Sequence, residues 1–472
     1  MITLADICEA LTNVHPQWGN TDINKTVIDS RECETGSLFI ALPGENVDGH
    51  DYIVDAFDRG ASLAISQKEI NSEHKVLDFR EPTQLDPDFQ LEFPIVIHVD
   101  NCLGALQDIA RYWRNKHNLN VIGITGSVGK STTKEVTAAV LEERYRTLKN
   151  PGNLNNEIGL PLTMLHLDDK HQRAVLEMGF YVPGEIKFLC EIAKPRIGVI
   201  TNIGTVHAER AGSQDEIARG KAELVQALPD HPEGIAILNY DDPLVRDMAR
   251  KSKAKIFYYG LDERADLWAD QVNGLGLDGI SFRLHYRNEV LYLKVPMIGR
   301  HSVHTALRAS AVGLVEGLTW HEIVNGLRSS RTQLRLVAVR VKGGALLLDD
   351  TYNASPQSTL AALNLLDEMA GHKIAVLGDM LELGQYEEIG HQMVGVRAAE
   401  VADLIVTVGE RAKIIARSAR KAHFPNLVIL ELDNSEQVVD LLKDRLTEDD
   451  VVLVKGSRGM NMDQIVAHLE KI

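Results

Sequence analysis

Four cysteines in 472 residues are too few and too scattered to organise a fold. Cys8, Cys33, Cys102 and Cys190 form no C-x-x-C pair, which argues against a zinc knuckle or a disulfide framework and for buried free thiols in a reducing compartment. Positive charge is also short. Lys and Arg number 50 against 67 Asp and Glu, a formal net charge of -17. That disfavours non-specific binding to nucleic acid or to an anionic membrane, but allows a local basic pocket for one anionic ligand. No apolar run reaches the roughly 18 residues that a membrane-spanning helix needs. The opening stretch MITLADICE has neither the basic start nor the apolar run of a signal peptide. A cytoplasmic location without membrane insertion is expected. No short-period repeat and no low-complexity segment is present.

What is there is enough chain for two to four domains, with 44% hydrophobic and 25% charged residues, ordinary for a soluble globular protein. Residues 1–100 are mixed, with strand-like runs at 37–42 and 61–66. A segment at 81–94 with three prolines reads as a linker or surface loop. From 101 the pattern becomes regular. Buried strands at 121–124, 174–178 and 197–201 alternate with helices, so a mostly parallel sheet covered on both faces is expected. At Ile280 the period changes to two, and 280–286 with 290–295 predict an antiparallel pair joined around Arg287 and Asn288. From 332 a second strand–helix series begins, with strands at 345–348, 374–377, 404–408, 427–430 and 451–454. It reads as a separate, doubly wound α/β domain.

The sharpest signal is GITGSVGKSTT, residues 123–133. It resembles a phosphate loop but misses the template G-x-x-x-x-G-K-[ST], because Ile124 stands where the first glycine belongs. A strand, a glycine turn and a helix N-terminus still make an anion site. Gly126 and Gly129 permit close backbone approach, Lys130 can reach the β- and γ-phosphates, and Ser131 or Thr132 can place a hydroxyl on Mg²⁺. Kinases, nucleotide switches and ligases share such a loop, so the loop alone does not name a reaction.

Three features of the same region narrow the choice. Glu177 ends a buried strand, where a carboxylate is costly unless paired or bound to metal, and strand ends face the ligand crevice. His207, in TNIGTVH, follows the next strand and is either structural or a metal ligand. Lys221 falls within the apolar stripe Ile217, Leu224, Val225 and Leu228 of a helix over 215–228. Periodicity favours a snorkelling side chain there. The alternative is a desolvated amine able to form a carbamate with CO₂ and so become an anionic metal ligand.

Together these residues resemble the Mur ligase family, ATP-dependent amide-forming enzymes of bacterial cell-wall synthesis. The family loop has the short form G-[TS]-x-G-K-[TS]-[TS], matched by Gly126, Ser127, Val128, Gly129, Lys130, Ser131 and Thr132. The resemblance implies that Glu177 and His207 bind magnesium and that Lys221 is carbamylated. NLNNEIGLPLT (153–163), DDTYNASP (349–356), VLGDMLELG (376–384) and VKGSRGM (454–460) are similar to the branch that joins D-alanyl-D-alanine to a UDP-N-acetylmuramoyl-tripeptide. DSR (29–31), FIALPG (39–44) and DGH (48–50) resemble the uridine-binding domain that this branch shares with the preceding ligase of the pathway. The sequence departs from the family at Ser131, where threonine is commoner, and at Ser302, Thr305 and Ser355, where asparagines are usual.

The resemblance implies an α/β chain of three domains: a UDP-sugar-binding domain at 1–100, a central ATP-binding domain at 101–331, and a Rossmann-like domain at 332–472 that binds the incoming dipeptide. ATP would contact residues 126–132, Arg335 and Asp350. The UDP-linked substrate would contact Ser30, Arg31, Asn155 and Asn156. Two Mg²⁺ ions would be held by Ser131, Glu177, His207 and carbamylated Lys221. Lys130, Glu177, His207 and Lys221 would be catalytic. The chain would act as a monomer, through an acyl-phosphate intermediate, during peptidoglycan precursor synthesis. Rival readings are the preceding ligase of the pathway, an ATP-hydrolysing scaffold protein and a small-molecule kinase.

Overall fold

The computed structural model describes residues 1–44, 47–70, 74–80, 85–86, 89–205, 208–329, 337–341 and 343–470. Among them the strands form three sheets, of five, nine and six strands. The chain resolves into two compact units. One comprises Met1–Gly123, Tyr145–Gly179 and Glu185–Arg196; the other comprises Ile124–Arg144, Phe180–Gly184 and Ile197–Ile472.

The first unit opens with helix Leu4–Thr12. The Thr3 hydroxyl accepts the Asp6 N–H while the Asp6 carboxylate accepts the Thr3 N–H, so two helix-end donors are satisfied reciprocally. Five parallel strands follow, in the order Lys25–Val27, Ser37–Ile40, Ala61–Ser66, Ile95–His98, Lys75–Asp78. Ser37–Ile40 and Ile95–His98 are buried at every position, as strands covered on both faces must be. The DGH motif braces this sheet. The buried His50 ring pairs with Asp48 through Nδ1 and accepts the Gln67 N–H at 3.2 Å through Nε2. Gln67 Oε1 in turn receives the Cys102 N–H at 3.0 Å, at the start of helix Cys102–Lys116. The same unit holds strand Arg173–Glu177, parallel to Thr147–Lys149, with Glu177 as its last residue.

In the second unit Ile197–Ile200, Ile235–Asn239 and Lys255–Gly260 run parallel. Leu267–Gly274 joins Lys255–Gly260 in parallel over only two residue pairs, then pairs antiparallel with Ile280–Tyr286, so this strand is where the sheet passes from parallel to antiparallel pairing. The predicted antiparallel pair is present: Ile280–Tyr286 meets Glu289–Val295 with Tyr286 opposite Glu289, and Arg287 at φ 52° turns the chain. The six-stranded sheet has the order Val337–Arg340, Leu346–Asp349, Asp450–Lys455, His372–Gly378, Leu404–Val408, Val428–Leu432. Five strands are parallel, each within two residues of its expected ends. The antiparallel edge strand Val337–Arg340 was not legible in the pattern. Apolar clusters cover both faces, one around Leu363, Leu366 and Val394, the other around Val438, Leu442 and Ile465.

Candidate active site

Strand Asn120–Thr125 enters the glycine loop and helix Lys130–Glu142 leaves it. Both glycines are required. Gly126 has φ 146°, and a Cβ there would lie 1.8 Å from Thr201 Oγ1; Gly129 has φ 82° as the helix N-cap. Asn202 latches the loop. Its backbone carbonyl accepts the Ser127 N–H at 2.9 Å and its Oδ1 accepts the Val128 N–H at 3.0 Å. Its Nδ2 and the Thr201 hydroxyl both donate to the Val128 carbonyl, at 3.2 and 2.8 Å. Ser127 Oγ accepts the Gly204 N–H at 2.8 Å. Ser127 and Val128 therefore line the cavity while turning their N–H groups onto Asn202. An anion at this loop would instead meet the N–H groups of the first turn of the helix. Sequence reading passed over Asn202, although it lies inside the TNIG motif.

Two lysines converge beneath this loop. Lys130 Nζ donates to the carbonyls of Gly126 at 2.9 Å and Ser127 at 3.2 Å. Lys221, on helix Gln214–Gln226, donates to the same Gly126 carbonyl at 3.0 Å and lies 4.6 Å from the Phe180 ring centroid. Lys221 is 1% exposed, so the snorkelling expected from periodicity is corrected. Its helix packs too deeply for the four-carbon stem to reach water, and a carbonyl receives the ammonium instead.

A cavity of about 390 Å³ opens over the loop. Residues 127–132 form one side, and Ile298, Thr305, Arg308, Asp350, Asn353 and Lys455 contribute to the others. Asp350 follows strand Leu346–Asp349, and its carboxylate accepts from Lys455 Nζ at 2.7 Å. Lys455 is buried and also donates to the Asn353 carbonyl at 2.8 Å. Asp350 thus reaches the cavity as an ion pair. Lys455 was missed as a site residue although it stands in the VKGSRGM motif. The hydroxyls that replace asparagines have defined partners: Ser302 Oγ donates to the Ile298 carbonyl at 2.6 Å, and Thr305 Oγ1 accepts from Arg308 Nη2 at 2.8 Å. Ser355 caps helix Pro356–Glu368 in a reciprocal pair with Ser358, a role that suits serine as well as asparagine.

Glu177 is 2% exposed. Its Oε1 accepts from Asn155 Nδ2 at 2.8 Å, and its Oε2 is buried without a hydrogen-bond partner. An orphaned carboxylate oxygen costs several kcal/mol by the usual reckoning unless a cation meets it, so this donor fits a metal. Asn150 fixes the strand end, accepting the Glu177 N–H at 2.9 Å and donating to its carbonyl at 3.1 Å. Asn156 Oδ1 accepts the Gly159 N–H at 2.9 Å, at the start of helix Gly159–Met164. Ser30 and Arg31 sit on a single turn capped by Asp29. The Arg31 guanidinium lies on Asp29 and holds that carboxyl down to about 2. His207 and Arg335 lie outside the described residues.

Three models of one family match the chain: Mur ligase family, catalytic domain, over residues 22–114; Mur ligase middle domain over 124–313; and Mur ligase, glutamate ligase domain, over 334–458. The chain is 34% identical to the UDP-N-acetylmuramoyl-tripeptide--D-alanyl-D-alanine ligase of Bacillus subtilis, over 99% of this chain and 98% of that protein. The MurF crystal structure from Acinetobacter baumannii superposes with a TM-score of 0.85 at 30% identity, covering 100% of this chain and 99% of that one. The MurF ligase from Thermotoga maritima, in complex with ADP, gives 0.80 at 28% identity, covering 95% and 97%.

Proposed function

The chain belongs to the Mur ligase family, and from that premise we propose that it joins D-alanyl-D-alanine to a UDP-N-acetylmuramoyl-tripeptide at the expense of ATP. The observation that carries the reading is the cavity over the glycine loop, closed by the Asp350–Lys455 pair of the C-terminal sheet. It suits a nucleotide whose phosphates rest on the loop. The tripeptide's terminal carboxylate attacks the γ-phosphorus, the bond to ADP breaks, and an acyl phosphate forms. The dipeptide amine then attacks the acyl carbon and loses a proton, and phosphate leaves.

The difficulty is bringing a carboxylate to a polyanion. Lys130 places its charge across the loop, the helix N-terminus adds its dipole, and Asn202 keeps the loop in shape while charge shifts. Two Mg²⁺ ions would be held by Ser131, Glu177, His207 and Lys221 as its carbamate, supplying further charge neutralisation at the phosphates. Ser30, Arg31, Asn155 and Asn156 meet the UDP-linked substrate, and Arg335 and Asp350 the nucleotide. Residues 1–100, 101–331 and 332–472 serve as the UDP-sugar, ATP and dipeptide domains of a cytoplasmic monomer. No helix among the described residues is long and apolar enough to cross a membrane.

Purified protein with ATP, Mg²⁺ and a UDP-muramoyl-tripeptide should release phosphate only when D-alanyl-D-alanine is added, with the pentapeptide product visible by mass spectrometry. Tripeptides ending in lysine and in diaminopimelate should both be tried, and no dipeptide-dependent release with either would sink the assignment. Lys221→Ala should be inactive and regain activity with short carboxylic acids. Full activity without them would remove the carbamate.

A further inference from the structure

Arg308 belongs to none of the motifs above. It lies on helix Ser302–Val315 and is 4% exposed, yet no carboxylate pairs with it among the described residues. Its Nη2 donates to Thr305 Oγ1 at 2.8 Å, its guanidinium carbon lies 5.8 Å from the Tyr259 ring centroid, and its Nε is buried with no hydrogen-bond partner. A buried guanidinium whose partners are the Thr305 hydroxyl and the Tyr259 side chain, both neutral, is poorly compensated. It lies at the cavity wall, with Nη2 3.4 Å from where a Cβ on Gly129 would stand, beside the N-terminus of the loop helix. The surroundings that do not compensate it are the ones that would receive a phosphate.

We propose that Arg308 is a nucleotide-binding residue whose guanidinium pairs with the polyphosphate, with Thr305 holding the fork in place. The inference rests on the nucleotide reading of the cavity. In the free protein the charge is a local liability. In the complex the phosphates meet a planar donor that two lysines and a helix end do not duplicate.

The test is binding of ADP and of adenosine by calorimetry to the wild type, Arg308→Met, Arg308→Gln and Arg308→Lys, with melting curves for each. In the neutral variants ADP should bind about ten- to hundredfold more weakly, the range expected for a charge-assisted contact, while adenosine binding stays within about twofold. Arg308→Lys should recover part of the loss. Arg308→Met without ligand should melt no lower than the wild type, and ADP should raise its melting temperature less. Either neutral variant binding ADP as the wild type does, or losing ADP and adenosine in parallel, would overturn the inference. A wild type that binds no ADP would overturn it together with the functional reading, whereas ADP binding without dipeptide-dependent phosphate release would count against the functional reading alone.

Discussion

Glu177 and Asp350 both stand at the ends of parallel strands, and their electrostatics are opposite. Glu177 is held by the neutral amide of Asn155 through one oxygen, and its other oxygen is buried without a partner. Asp350 already faces the ammonium of Lys455. The same position in two sheets has produced an anion awaiting a cation and an anion already neutralised. On the function proposed above, the first acid would serve chemistry that needs a metal, and the second brings an already neutralised carboxylate to the cavity.

The comparison can be broken at its strongest point. Glu177→Gln keeps the shape and removes the charge, so kcat for dipeptide-dependent phosphate release should fall on the order of a thousandfold, the scale of lost charge stabilisation in a dry site. The melting temperature should not fall, because a neutral amide is cheaper to bury. Lys455→Met should instead lower stability by about 3 kcal/mol by taking away the buried ammonium that faces Asp350, read as a lower urea midpoint. If Glu177→Gln unfolded the protein and Lys455→Met left the midpoint unchanged, the contrast would be wrong.

A finer cut is Asn155→Ala, which leaves Glu177 in place but removes its orienting donor. If Glu177 holds Mg²⁺ as proposed, the Mg²⁺ concentration needed for half-maximal rate should rise about tenfold, the scale expected when a metal ligand loses an orienting partner. The smallest effect belongs to an exposed pair. Arg144, with the Thr319 hydroxyl and N–H next, holds the Glu322 carboxyl down to about 2. Its contribution is complete above the ordinary value of 4.5 and is lost as pH falls from there towards about 2. Arg144→Met should flatten the stability profile in that window, and salt should weaken the wild-type effect.

Much of this was legible because period and turn chemistry are local. The strands of the C-terminal sheet, the hairpin at Arg287 and the loop helix could be read from runs of a few residues. Leu267–Gly274 and Val337–Arg340 could not, since their pairing is decided by neighbours distant in sequence. The site divided the same way. Lys130 and Glu177 announce themselves by motif and by burial on a strand. Lys221 misled because a helical stripe says which face is inward but not how deep the helix sits. Lys455, Asn202 and Arg308 act through contacts across the fold, and only the assembled structure brings their partners to them.

The edge strand Val337–Arg340 has a kinetic consequence. By pairing antiparallel with Leu346–Asp349, it makes the strand that leads to Asp350 an interior one, hydrogen-bonded on both sides. Interior strands exchange their amide hydrogens only when a whole cooperative unit opens. The cavity wall should therefore rank among the slowest-exchanging segments of the C-terminal sheet, fixed on the timescale of turnover.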